Sequence, residues 1–178
     1  TIGWVGGISA VGKETFLKAV TSEDDLKSQL GWADKSVALS QKSIDYIGQF
    51  LNDPTIDLRM GIIHEVTQIL LDNDVVLIKW QIVDSDAGIP QHLLDLFPEA
   101  KHKFCIIEAP YEALIERLVH KSWWDPNDDP AEYVNTERAI LATKIAELGS
   151  NFDLIRVAND SESLNSFSVV PVGKAVSF

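Results

Sequence analysis

A short apolar run, Ile2–Val5, leads into Gly7-Ile8-Ser9-Ala10-Val11-Gly12-Lys13-Glu14-Thr15, and a segment of helical character follows, Lys13–Val20. The stretch from Gly7 to Lys13 has the pattern G-x-x-x-x-G-K. Between a strand and a helix, such a turn lets successive backbone N–H groups surround phosphate oxygens, and the helix adds its N-terminal amides and dipole. Lys13 supplies a positive charge to the phosphates. The sequence therefore predicts a phosphate-binding loop over residues 7–13, called the phosphate loop below.

Composition narrows the class of protein. The 178 residues carry 15 Lys and Arg against 27 Asp and Glu, a net charge of −12, with 46% hydrophobic residues. This is ordinary for one globular domain over residues 1–178, with or without a lid. The acidic balance disfavours nucleic acid, and no apolar run reaches the ~18 residues of a membrane span. With a single cysteine, Cys105, we expect a reducing, cytoplasmic setting, and the oligomeric state is left open.

Apolar runs alternate with helical stretches along the chain. Strand, helix, strand repeated in this way predicts a parallel sheet with helices on both faces, and ligands bind at the carboxyl ends of its strands. The clearest amphipathic helix is Thr55–Leu71, and a last helical turn is expected at Ser161–Phe167. The five predicted strands are Ile2–Val5, Ser36–Leu39, Val75–Trp80, Lys103–Ile107 and Asp153–Ala158.

The phosphate loop resembles the Walker A loop of P-loop kinases that act on small molecules, in particular the nucleoside monophosphate kinases. Many of these read G-K-G-T, so Thr15 matches the family's threonine and is implied as a Mg²⁺ ligand. Glu14 replaces the family's glycine, and because its charge would repel phosphate, we expect it to point outward. The resemblance implies a three-layer α/β/α P-loop fold with a five-stranded parallel sheet, a helical lid, and ATP held by Gly7, Ser9, Ala10, Val11, Gly12, Lys13, Glu14 and Thr15.

The resemblance continues beyond the loop. Pro110–Leu118 is similar to the family's P-x-x-x-L-x-x-R-L helix, which implies that Arg117 and Lys121 contact the adenine and phosphate region. Asn159 lies at the end of the last strand, whose following loop borders the adenine in the family. The implied lid covers approximately residues 117–138. Within it, Arg138 is either the cation that faces the transferring phosphoryl group or a member of a surface ion pair.

The sequence departs from the family at two places. The lid segment 121–130 contains three aspartates and no arginine, whereas the family clamps phosphates with several lid arginines. After the third strand, Asp84 or Asp86 is either the base or Mg²⁺ residue or a turn-forming aspartate before Gly88. Lys79, in an apolar strand, either pairs with an acidic residue or reaches the phosphate site, and the pairing is favoured. Trp123 and Trp124 either pack the lid or stack on a base.

Three functions follow as hypotheses. The first is a P-loop kinase that moves the γ-phosphoryl group of ATP to a small acceptor, such as a nucleotide or nucleoside. Lys13, Arg117, Arg138 and Asp84 are its candidate catalytic residues, and Thr15 and Asp84 its candidate Mg²⁺ ligands. The second is a nucleotide-binding ATPase or regulatory protein without kinase activity. The third is an α/β interaction domain in which the loop motif is coincidental.

Overall fold

A computed structural model describes residues 1–45, 58–80, 88–148, 152–159 and 166–171. Elements alternate along the chain much as the hydrophobic pattern predicts, and the bounds agree to within about three residues wherever both ends are described. The strands are β1 (Ile2–Gly6), β2 (Val37–Leu39), β3 (Val75–Lys79), β4 (His102–Glu108), β5 (Asp153–Asn159) and β6 (Phe167–Val170). The helices are α1 (Lys13–Ser22), α2 (Asp24–Gln29), α3 (Leu58–Asp72), α4 (Gly88–Leu96), α5 (Tyr111–Val119) and α6 (Pro130–Leu148).

The strands form one sheet in the order β2-β3-β1-β4-β5-β6. The first five strands of that order are parallel, and β6 runs antiparallel to β5. The predicted parallel sheet is confirmed, but the described sheet has six strands, not five. The helical turn expected to end at Phe167 is wrong at that residue, which begins a strand. Alternation explains the difference, because Phe167 and Val169 both pack on the core while Ser168 between them is exposed.

Helices cover both faces of the sheet, which confirms the three-layer architecture. On one face, Phe16 and Leu17 of α1 pack with Leu114 of α5 and Val134 of α6. On the other, residues of α3 and α4 pack against β1, β3 and β4 around an aromatic cluster. That cluster contains Trp4, Trp80, Phe104 and Phe152 together with the buried His102.

Burial on both faces explains why the inner positions of the central strands are mostly apolar, with charged residues near the strand ends. Every residue of β1 is buried. Cys105 in β4 is fully enclosed, and burial raises the pKa of its thiol to about 12, as suits a packing residue rather than a reactive one.

This topology places the phosphate loop at the centre of the molecule. The loop follows β1, which lies between β3 and β4, and leads into α1 at Lys13. The carboxyl ends of the neighbouring strands, Lys79 and Glu108, therefore lie at the same edge of the sheet. None of the described helices is long and apolar enough to cross a bilayer.

Candidate functional site

The phosphate loop adopts a backbone path that depends on its glycines. Gly7 has φ 145° and Gly12 has φ 97°, a region that L side chains rarely adopt. Neither position has room for a side chain. A Cβ added at Gly7 would lie 2.8 Å from the carbonyl oxygen of Ile107, and one added at Gly12 would lie 2.7 Å from Asn159 Nδ2. Ala10 has φ 61° and is the one described non-glycine residue with positive φ. The loop therefore adopts a specific backbone conformation that an ordinary strand-to-helix turn does not require.

Lys13 folds back over the loop that precedes it. Its Nζ donates hydrogen bonds of 2.8 Å to the carbonyl oxygens of Gly7 and Ile8. The residue is only 8% exposed. The first backbone bond of α1, from Phe16 N to Gly12 O, measures 2.9 Å. Lys13 thus holds a positive charge at the N-terminus of α1, where the helix dipole also favours an anion.

A cavity of about 250 Å³ lies against this loop. It brings together residues 9–15 of the predicted nucleotide site with Lys121, which the P-x-x-x-L-x-x-R-L resemblance had singled out. Lys79 and Trp123 also line it, so that three lysines, Lys13, Lys79 and Lys121, border one small space. The lining residues are Ser9, Ala10, Val11, Gly12, Lys13, Glu14, Thr15, Lys79, Lys121 and Trp123.

A carboxylate from α6 is bound to the loop. Glu137 is only 4% exposed; its Oε2 accepts a 2.6 Å hydrogen bond from Ser9 N. Its Oε1 accepts bonds from Ser9 Oγ at 2.8 Å and from the Tyr133 hydroxyl at 3.0 Å. The sequence motifs do not reveal this contact, because Ser9 and Glu137 are 128 positions apart. It ties α6 to the phosphate loop.

Glu14 and Lys79 form an ion pair at the cavity. Lys79 Nζ and Glu14 Oε1 are 2.5 Å apart; the lysine side chain is 10% exposed and the glutamate 55%. The hydrogen bond from Lys79 lowers the pKa of the Glu14 carboxyl, against a smaller opposing effect of burial, and the charges of Lys79, Lys18 and Lys121 lower it further. The pairing favoured for Lys79 is therefore present, and Lys79 lines the loop cavity as well. Glu14 is 55% exposed but also lines this cavity, whereas we expected it to point outward.

Asn159 supports the loop from within the protein. Its side chain is fully buried, and its Nδ2 donates a 2.8 Å hydrogen bond to the carbonyl oxygen of Val11. Its Oδ1 is buried without a hydrogen-bond partner among the described residues. Asn159 therefore contacts the phosphate loop itself, and its predicted place beside an adenine stays a prediction.

Neither of the two predicted arginines lines the loop cavity. Arg117 is on α5; both its Nη atoms are buried with no hydrogen-bond partner in the described part of the chain, and burial lowers its pKa. Arg138 on α6 lies 5.1 Å from the centre of the Tyr111 ring, with a long 3.5 Å contact to Ala109 O. It lines a second cavity, of about 260 Å³, with Ile8, Val11, Ile107, Glu108, Ala109, Leu114 and Leu141.

The lid segment leads into α6 through a capped helix start. Asp129 Oδ1 accepts a 2.8 Å bond from Ala131 N, and Pro130 begins the helix, as is common at a first helical position. Trp124 packs on the core cluster, whereas Trp123 is 56% exposed and lines the loop cavity. One tryptophan of the pair therefore packs on the core, and the other borders the loop cavity. Asp84 and Asp86 lie outside the described residues.

Among solved structures, two kinases are similar to this chain. The chain is similar to a shikimate kinase from Bacteroides thetaiotaomicron, with 12% identity and a TM-score of 0.49 over 93% of this chain and 89% of that one. It is also similar to a sugar kinase from a Janibacter species, with 14% identity and a TM-score of 0.47 over 92% of this chain and 89% of that one. No protein-family model and no curated protein matches the sequence.

Proposed function

We propose that this chain is an ATP-dependent phosphotransferase that moves the γ-phosphoryl group to a small-molecule acceptor. The observation that carries the proposal is the phosphate loop, whose strained backbone and folded-back Lys13 border a cavity rich in ammonium groups. A plain strand-to-helix turn needs neither the left-handed backbone at Gly7, Ala10 and Gly12 nor a buried lysine.

A hydrogen bond within the protein supports an anion-binding role for the loop. Ser9 N donates to a carboxylate oxygen of Glu137 at 2.6 Å, so a loop amide is directed at negative charge. In the proposed complex the backbone of residues 7–13 cradles the phosphates, and Lys13 follows the γ-phosphoryl group. Lys121 approaches from the lid side. Both Arg117 Nη atoms are buried without a hydrogen-bond partner among the described residues, and we propose that they too pair with an anion, because an isolated buried charge is costly.

Mg²⁺ is the metal that the resemblance implies. Thr15 lines the cavity, and its hydroxyl is an oxygen ligand of the kind that this ion accepts. Few protein ligands are needed, since Mg²⁺ keeps several waters and takes others from the phosphates. When bound, it neutralises charge on the phosphate oxygens. Among the described residues there is no group of three or more His, Cys, Asp or Glu that could hold a metal by itself.

The proposed reaction forms a bond between the acceptor oxygen and Pγ, and breaks the bond between Pγ and the bridging oxygen, so that ADP leaves. Such catalysis consists mostly of positioning and charge stabilisation. We propose Asp84 as the group that takes the acceptor proton, and Arg117 and Arg138 as lid-side cations that stabilise the transferring group. The acceptor class is open among nucleoside monophosphates, nucleosides and small hydroxy acids.

The test measures ADP release from MgATP across a panel of those acceptors. One acceptor should accelerate ADP release, and Lys13→Ala should abolish that acceleration while the far-UV spectrum stays unchanged. Lys18→Ala is the matched control, because Lys18 is an exposed lysine on the same helix. Full activity of folded Lys13→Ala would refute the proposal.

A nucleotide-binding protein without kinase activity is the second candidate. The arginine-free segment 121–130 and the carboxylate of Glu14 at the cavity favour it, because both reduce the positive charge available to a transferring phosphoryl group. This candidate predicts that MgATP raises the melting temperature while hydrolysis stays slow with every acceptor. The absence of any thermal shift would instead favour an interaction domain.

A further inference from the structure

Lys79 is held rigidly at the edge of the sheet beside the phosphate loop. It pairs in register with Val5 of β1, the strand that enters the loop, and its backbone N–H donates a 2.9 Å bond to Ser43 Oγ. The side chain is 10% exposed and lines the loop cavity with Lys13 and Lys121. The Lys79 side chain is therefore largely buried at the cavity, where its ammonium group pairs with Glu14.

Its partner is held far less firmly. Glu14 is 55% exposed and lies in the first turn of α1, so its carboxylate can turn into water at little cost in solvation. The Lys79 side chain has less freedom to turn away, because it is only 10% exposed and separating a buried ammonium group from its counter-charge is costly. An anion that enters the cavity can thus replace the carboxylate as the acceptor for the lysine.

We propose that Lys79 is a phosphate-binding residue of this site and that Glu14 is its displaceable counter-ion. The proposal rests on the proposed function, since it assumes that the loop cavity receives nucleotide phosphates. With nucleotide bound, Lys79 donates to a phosphate oxygen, and Glu14 leaves the cavity. In the absence of nucleotide, the pair keeps a buried ammonium group neutralised.

The experiment is calorimetric titration of MgADP into the wild type, Lys79→Met, Glu14→Gln and the double variant. Lys79→Met should weaken binding about tenfold or more, because hydrogen bonds to charged groups are strong. Glu14→Gln should tighten binding, since it frees the lysine and removes a competing carboxylate. In the Glu14→Gln background, Lys79→Met should again weaken binding about tenfold.

The double variant separates direct binding from an indirect effect. If Lys79 only neutralises Glu14, adding Lys79→Met to Glu14→Gln leaves the affinity unchanged, and that result overturns the proposal. Lys101→Met is the matched control: Lys101 is exposed and precedes β4, at the opposite end of the sheet, so it reports the loss of one distant charge. The affinity of Lys101→Met for MgADP should stay within about twofold of the wild-type affinity.

Two outcomes concern the wider assumptions. If the wild type does not bind MgADP, the proposed function fails and this inference fails with it. If the wild type binds MgADP and Glu14→Gln binds it with the same affinity as the double variant, only the proposed role of Lys79 fails. Should Lys79→Met not fold, Glu14→Gln decides alone, because unchanged or weaker binding in that variant contradicts a displaceable counter-ion.

Discussion

Removal of the Glu137 carboxylate should loosen the phosphate loop and destabilise the protein. The carboxylate accepts hydrogen bonds of 2.6, 2.8 and 3.0 Å from Ser9 N, Ser9 Oγ and Tyr133 OH. Hydrogen bonds to a charged group contribute about 1.5–3 kcal/mol each. Glu137→Ala also removes the cost of burying the carboxylate charge, which offsets part of the sum of these contributions. The two hydroxyls already lie 3.4 Å apart and can pair with each other, which leaves Ser9 N–H as the unpaired group. We therefore expect Glu137→Ala to cost about 3 kcal/mol of unfolding free energy.

Urea unfolding at 25 °C measures this loss as a lower midpoint with an unchanged slope. Glu137→Gln should cost less, about 1 kcal/mol, because an amide oxygen still accepts from Ser9 N while the charge is lost. The matched control is Glu132→Gln, the same chemical change at an exposed position of the same helix, which should cost no more than about 0.5 kcal/mol. A loss below about 1 kcal/mol in Glu137→Ala, or an equal loss in the control, would refute this account of the contact.

Three further predictions concern the loop and the core. Ala10→Gly should raise the unfolding free energy by about 1 kcal/mol in the same urea assay, because φ is 61° at that position; a loss of stability would contradict the strain. Gly12→Ala should destabilise by about 2 kcal/mol or more and weaken MgADP binding in calorimetry, since its Cβ would lie 2.7 Å from Asn159 Nδ2 at φ 97°; wild-type stability and affinity would exclude that clash. Burial lowers the pKa of His102 in the folded protein, so on acidification the imidazole takes up a proton at a higher pH in the unfolded chain than in the folded one. The free energy of unfolding should therefore fall as the pH drops below about 6.5. Urea midpoints between pH 8 and 5 test this, and His102→Phe should flatten the profile.

Local patterns determine most of the architecture. Apolar runs identify five strands because parallel strands buried on both faces need continuous apolar sequence. Gly12-Lys13 after the first run predicts the loop, because the motif and its strand-to-helix setting are contiguous in the chain. The structure adds a local signal at the start of α6, where Asp129 caps the helix and Pro130 begins it, because a cap and a first-turn proline act on their immediate neighbours.

The sixth strand shows where local pattern is insufficient. Phe167–Val170 is only four residues long, and its strand conformation depends on pairing with β5 and on Phe167 packing 5.2 Å from the Phe16 ring. Neither contact is visible from the segment itself. A short apolar segment near the end of a chain is compatible with a turn or a strand until its partner is known.

The candidate site divides in the same way. The sequence by itself determined where the phosphate loop and Lys13 lie, between β1 and α1. These residues are consecutive in the chain, and their conformation depends on the loop glycines and on the start of the following helix. Only the tertiary structure decided that Glu137 binds Ser9 and that Lys79 meets Glu14, contacts that span 128 and 65 positions. Such pairs depend on which strands are neighbours and on their register, and those follow from packing of the whole sheet rather than from any local period.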